Sequence, residues 1–141
     1  MSDSRKTSYI ADYTVLEMAS ALGRECRRTS LGIRKFDSME MAFMEDIAEG
    51  RLQVRDTTRR DLARARHLIR YVGMKTGRKI SSGDALVATC CLEFVLDKRE
   101  KNAAFITCDL PLFKILASLD AFRSSMSLWH WDQNTGRKTV V

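Results

Sequence analysis

Three acidic residues of this chain stand where carboxylates can do chemistry. Glu17 falls in the first turn after an expected strand at 9–11, Asp84 opens an expected apolar helix, and Asp109 lies two residues past an expected strand ending at Thr107. In open α/β sheets, ligands gather at the carboxyl ends of the strands. Carboxylates brought together there repel one another unless a cation joins them. Mg²⁺ or Mn²⁺ suits that role, because hard cations take oxygen ligands and keep coordinated water. Such an ion can activate a water and steady an in-line phosphoryl displacement. No spacing rule links the three residues, and each has a simpler reading. Glu17 and Asp84 both fall at the third helical position of a capping box, and Asp109 before Leu110-Pro111 suits a turn.

The apolar periodicity predicts the elements that would position these residues. Tyr9-Ile10-Ala11 reads as a short strand. Val15, Met18, Ala19, Leu22 and Cys26 then form one stripe of a helix, with Thr14 and Glu17 as its capping box and Tyr13 and Met18 as its hydrophobic staple. Asp37 with Glu40 predicts a second start, with Phe36 and Met41 as the staple. That helix would bury Phe43, Met44, Ile47 and Ala48 and end at Gly50. Leu52-Gln53-Val54 alternates as a strand. Thr58 caps a helix with Leu62, Ala65, Ile69 and Val72 inward, closed by Gly73, before a basic loop from Met74 to Lys79.

Ser81 and Asp84 give a fourth start signal. The helix behind them is apolar nearly all round from Ala85 to Leu96, which places it in the middle of the structure. Ala103 to Thr107 is a continuous apolar run suited to a buried parallel strand. A short helix with Leu112, Phe113, Ile115 and Leu116 follows, then a strand from Met126 to Trp131 and a polar tail over 133–141. This order predicts an α/β layer structure with a mainly parallel sheet, forming one domain over residues 1–132.

The composition agrees with a folded globular chain. At 141 residues, 45% of them hydrophobic and 30% charged, it is long enough to bury a core without covalent staples. Seven Gly and one Pro exclude collagen and linker classes. No uncharged stretch approaches the ~18 residues of a membrane span, and the polar start Met-Ser-Asp-Ser-Arg-Lys is not that of a signal peptide. A cytoplasmic chain with reduced Cys26, Cys90, Cys91 and Cys108, inert and mostly buried, is therefore expected. A net charge of +6 permits a polyanion partner without demanding one.

The residues around the three acids resemble the PIN-domain family of nucleases, in particular VapC-like toxins of toxin–antitoxin pairs. The resemblance rests on the stretch Thr14-Val15-Leu16-Glu17-Met18-Ala19-Ser20-Ala21-Leu22, on Asp84-Ala85-Leu86-Val87-Ala88-Thr89, and on Phe105-Ile106-Thr107-Cys108-Asp109. It covers roughly residues 8–131, with the intervening helices in the family's order. It implies a PIN-like three-layer fold and a divalent-metal-dependent endoribonuclease. Glu17, Asp84 and Asp109 would be the catalytic carboxylates that hold Mg²⁺ or Mn²⁺, and Thr107 would be the hydroxyl supporting the last of them. Family members begin with a central strand that ends in an aspartate, well upstream of the Glu-bearing helix, whereas only Met1 to Ser8 precede Tyr9 here. The expectation is thus a PIN-like domain shortened at its amino terminus. The alternative is that Asp12 plays the first aspartate, with Glu40 or Glu45 as the Glu.

Basic residues supply the other half of a nuclease argument. Arg59, Arg66 and Arg70 share a helix face by spacing, and Lys75, Arg78 and Lys79 lie just before Asp84. They could hold RNA phosphates, or be only a solvated face and an ordinary loop. Other chemistries find less support. His67 and His130 match no metal motif with the cysteines, and no phosphate-binding glycine loop or serine elbow occurs. Trp129 and Trp131 alternate in the last strand as core or interface residues before base-stacking ones, and the methionines suit helix packing. A second reading is a catalytically impaired remnant that binds RNA or a protein partner, an antitoxin or a second copy of the chain.

Overall fold

The computed structural model describes residues 6–28 and 32–141. The chain is mixed α/β and divides into two compact units, Met1–Thr57 and Thr58–Val141.

In the first unit, strand β1 (Ser8–Ala11) runs directly into helix α1 (Asp12–Arg28). Helix α2 (Gly32–Ala48) then leads to strand β2 (Leu52–Arg55). β1 and β2 pair in parallel, Ser8 opposite Leu52 through Ala11 opposite Arg55. A parallel pair requires a long crossover, and α1 and α2 provide it. Gly50, with φ of 74°, makes the turn after α2 and donates its N–H to the Ile47 carbonyl. Neither expected capping box in this unit stands at a helix start. α1 begins at Asp12, so Thr14 and Glu17 already lie inside the helix, and α2 begins upstream of Asp37. Asp12 takes over at the start of α1 because its carboxylate accepts the Tyr13 N–H at 2.7 Å and the Thr57 N–H at 2.8 Å. Of the expected stripe, Leu22 is buried while Met18 is exposed. The side chain of Cys26 lies outside the described residues.

The second unit opens with helix α3 (Arg59–Thr76), followed by α4 (Ser82–Lys98), strand β3 (Ala104–Thr107), α5 (Leu110–Ala117), the one-turn helix α6 (Asp120–Arg123), β4 (Ser127–Trp131) and β5 (Lys138–Val140). β3 and β4 are parallel, with α5 and α6 as the crossover. β4 and β5 are antiparallel. Residues 133–141, expected as a polar tail, therefore carry a turn and a strand. Asp132 shapes that turn by accepting the Asn134 N–H at 2.8 Å and the Thr135 N–H at 3.3 Å. Among the described residues the strands form two small sheets, β1-β2 and β3-β4-β5, rather than one.

Thr58 caps α3 as expected, in a full capping box with Asp61. The Thr58 hydroxyl accepts the Asp61 N–H at 3.1 Å, and the Asp61 carboxylate accepts the Thr58 N–H at 2.9 Å. The helix does not stop at Gly73. It continues to Thr76 and ends at Gly77, whose φ of 66° is the left-handed conformation of a glycine C-cap. Glycine inside a helix costs only ~1 kcal/mol, which tertiary packing overrides. The expected Met74–Lys79 loop thus begins only after Thr76.

The core of this unit gathers Ala65, Val72, Ala85, Ala88, Val95, Phe105, Phe113, Leu116 and Leu128, among others. α4 lies at its centre, with Ala85 and Ala88 fully buried. The buried stripe of α3 is Asp61, Ala65 and Val72, with Leu68 packed against it. Leu62 and Ile69, expected inward, are exposed. β3 buries Phe105 but leaves Ile106 60% exposed, so it is covered on one face and not both. The methionines depart from the expected helix packing as well. Met126 is buried, while Met18, Met39, Met41, Met44 and Met74 are exposed. Phe113 and His130 lie with ring centroids 5.6 Å apart.

Candidate functional site

The second unit holds two of the predicted carboxylates, each at the start of a helix. Ser81 is the N-cap of α4 and accepts the Asp84 N–H at 3.1 Å. In α3 the corresponding Asp61 returns the bond to its cap, but here the bond runs one way only. The Asp84 carboxylate accepts no hydrogen bond among the described residues. It is half-buried in the first turn, where the helix dipole favours a negative charge.

Asp109 is the N-cap of α5. Its Oδ1 accepts the Leu112 N–H at 2.9 Å, and Pro111 in the first turn of the helix needs no donor satisfied. Thr107 supports Asp109 through the main chain, its hydroxyl accepting the Asp109 N–H at 3.0 Å. The turn reading of Asp109 is therefore correct as far as Oδ1 goes, while Oδ2 stays uncommitted among the described residues. Asp109 follows the carboxyl end of β3, a strand in a parallel pair, which is where α/β folds place ligands. Glu17 belongs to the first unit, in the second turn of α1, exposed. Among the described residues no three His, Cys, Asp or Glu side chains form a metal-ligand cluster.

The predicted basic residues are all exposed. Arg66 and Arg70 flank a shallow apolar groove formed by Leu62, Ile69, Ser82 and Leu86. Lys75 sits in the last turn of α3, with its Nζ 5.9 Å from the centroid of the Tyr71 ring. Arg78 and Lys79 occupy the short connection between α3 and α4, where the Arg78 N–H bonds to the Thr76 hydroxyl.

Sequence reasoning missed Arg60, Arg64 and Glu93. Glu93 on α4 is 2% exposed, with Arg64 Nε 2.8 Å from its Oε1 and Arg60 Nε 3.4 Å from its Oε2. The signal was present: Glu93 is the one charge between Ala85 and Leu96 of a helix apolar all round, and a buried carboxylate requires a cationic partner. The cysteines also differ from expectation. Cys90 is buried, Cys91 half-buried, and Cys108, between Thr107 and Asp109, is exposed.

No protein-family model matches the chain, and no curated protein or solved structure matches it either. Among the described residues, no helix is long and apolar enough to cross a membrane.

Proposed function

We propose that this chain is a divalent-metal-dependent endoribonuclease with a PIN-like three-layer fold, acting as the toxin of a toxin–antitoxin pair. The observation that carries the reading is the Asp84 carboxylate. It lies half-buried at the head of the central helix with no hydrogen-bond partner among the described residues. The same capping position in α3 uses its carboxylate to close the box. Asp109 adds a second uncommitted oxygen, past the carboxyl end of β3.

These donors fit Mg²⁺ or Mn²⁺. Both are hard carboxylate oxygens, and Mg²⁺ takes one or two carboxylates together with waters and substrate phosphate oxygens. When bound, the ion supplies charge neutralisation at an RNA phosphodiester and a more acidic water. The chain's own groups do the positioning. Ser81 and Thr107 fix the backbone on which the two carboxylates stand, and Leu112 N–H holds Asp109 in one rotamer. Arg78 and Lys79, close in sequence to Asp84, attract the phosphate backbone. The assignment of Glu17 rests on the sequence resemblance.

Cleavage of RNA in the presence of Mn²⁺, with EDTA, and by the Asp84→Asn variant tests the reading. The expected result is cleavage abolished by the chelator and lost in the variant. Cleavage indifferent to both would exclude it.

A further inference from the structure

A second polar site lies along α3, lined by neither Asp84 nor Asp109, and every residue that lines it belongs to the second unit. Arg60, Arg64, His67, Tyr71 and Lys75 recur at steps of three or four, so they share one face of the helix. That face borders a groove of about 1020 Å³, closed on its other side by Thr89, Leu92 and Glu93 of α4 and by the residues 118–122.

The chemistry of this groove is set by how the arginines are held. Both approach Glu93 through Nε, the internal nitrogen of the guanidinium. Their terminal nitrogens, which form the planar fork suited to phosphate, have no hydrogen-bond acceptor among the described residues. Glu93 is too buried to meet a ligand itself, and its Oε1 contact with Arg64 is ionic, without a directed hydrogen bond. The carboxylate thus anchors two half-exposed cations. Lys75 adds a third positive charge, and the remaining acid of the groove, Asp120, is already paired with Arg123. Tyr71, 49% exposed and with the Lys75 ammonium 5.9 Å from its ring centroid, offers an aromatic surface two turns beyond Arg64, about 10 Å away at ~1.5 Å per residue. A cationic fork followed by an aromatic ring matches the alternation of phosphate and base in a nucleic-acid strand.

We infer that the α3–α4 groove binds single-stranded RNA, with phosphate on Arg60 and Arg64, a base on Tyr71, and Glu93 as the positioning residue for the two arginines. The inference does not depend on the metal-site reading, because binding is measured without divalent metal.

The test is fluorescence anisotropy of a short labelled oligouridylate with the full chain in EDTA, on an Asp84→Asn background so that cleavage plays no part. Tyr71→Ala is expected to weaken binding on the order of tenfold through lost stacking. Arg64→Lys keeps a cation beside Glu93, so the fold is maintained, and it is expected to weaken binding several-fold through loss of the fork. Glu93→Gln separates positioning from simple electrostatics. Removing a negative charge would strengthen RNA binding if charge alone mattered, whereas loss of the anchor weakens it. Thermal melts accompany each variant. Affinity unchanged in Tyr71→Ala and Arg64→Lys would overturn the inference, and so would tighter binding by Glu93→Gln. An oligoglutamate peptide that displaces the RNA at equal concentration would assign the groove to an acidic protein segment instead.

Discussion

Asp12 and Thr57 are 45 positions apart and joined twice. The Asp12 carboxylate accepts both the backbone N–H of Thr57, at 2.8 Å, and its hydroxyl. This fastens the start of α1 to the segment just after β2, in the same unit that carries the parallel β1–β2 pair. Burial alone would raise the pKa of Asp12, but the Thr57 hydroxyl, the Thr57 N–H and the Tyr13 N–H outweigh it and hold the carboxyl below its ordinary value of 3.8. A lowered folded-state pKa means stability that is present above the unfolded value and lost as pH falls through the folded one. Asp12→Ala should therefore cost ~1–2 kcal/mol near neutral pH. Urea melts of both proteins should converge as the pH drops below the ordinary range of a carboxyl group, and a gap that persisted in acid would contradict the assignment.

The Thr58–Asp61 capping box makes a contrasting case at the head of α3. Asp61 is 1% exposed and answers the cap, while Asp84 at the head of α4 does not answer Ser81. Thr58→Ala should cost ~1 kcal/mol, as for a typical N-cap. Asp61→Ala should cost more, since it removes the bond returned to the Thr58 N–H and also empties the space of a fully buried side chain. Asp84→Asn should be nearly neutral in thermal unfolding, so that a loss of RNA cleavage in that variant is separable from a loss of fold.

Ala88 sits on the fully buried side of α4, in contact with no solvent. Ala88→Glu introduces a charge with neither water nor partner and is expected to cost several kcal/mol. Differential scanning calorimetry should show the main transition lost or strongly lowered. An unshifted transition would show that α4 is not the centre of this unit.

The thiols should react in order of exposure. Cys108 is accessible and Cys90 is buried. Brief alkylation of the folded protein, read by peptide mass spectrometry, should label Cys108 first and leave Cys90 until denaturant is added. Equal labelling of the two would be at odds with the packing of α4.

What could be read from the sequence was largely what is local. Thr58 as the cap of α3, Ser81 with Asp84, and Asp109 as a turn before Leu110-Pro111 each act within four residues of their partners. The errors came where a second influence competes. Gly73 and Gly77 are both glycines near a helix end, but only Gly77 adopts the left-handed conformation. Of the expected inward stripe of α3, Ala65 and Val72 are buried, but Leu62 and Ile69 are exposed. Asp61 occupies the buried face by virtue of its cap bond, and that moves Leu62 to the surface. β5 was missed because its three residues, Lys138, Thr139 and Val140, are too few to show an alternation, while its pairing is made by main-chain groups. Of the candidate site, the turn at Asp109 and the start at Asp84 could be read, including the simpler reading of Asp109 as a cap. Glu93 left a signal, as the one charge in an apolar helix, but its partners Arg60 and Arg64 left none, because α3 and α4 must be folded before an arginine on one finds a carboxylate on the other.

The β4–β5 hairpin has an optical consequence. Lys138 on β5 holds its ammonium 4.0 Å above the centroid of the Trp129 ring on β4, and the Trp129 indole Nε1 is buried without a hydrogen-bond partner among the described residues. A nearby cation shifts and dims indole emission, so separation of the two strands should brighten that fluorophore before the rest of the unit melts. With Trp131 already 47% in solvent and thus largely insensitive, the chain carries an intrinsic gauge of its own carboxy-terminal closure.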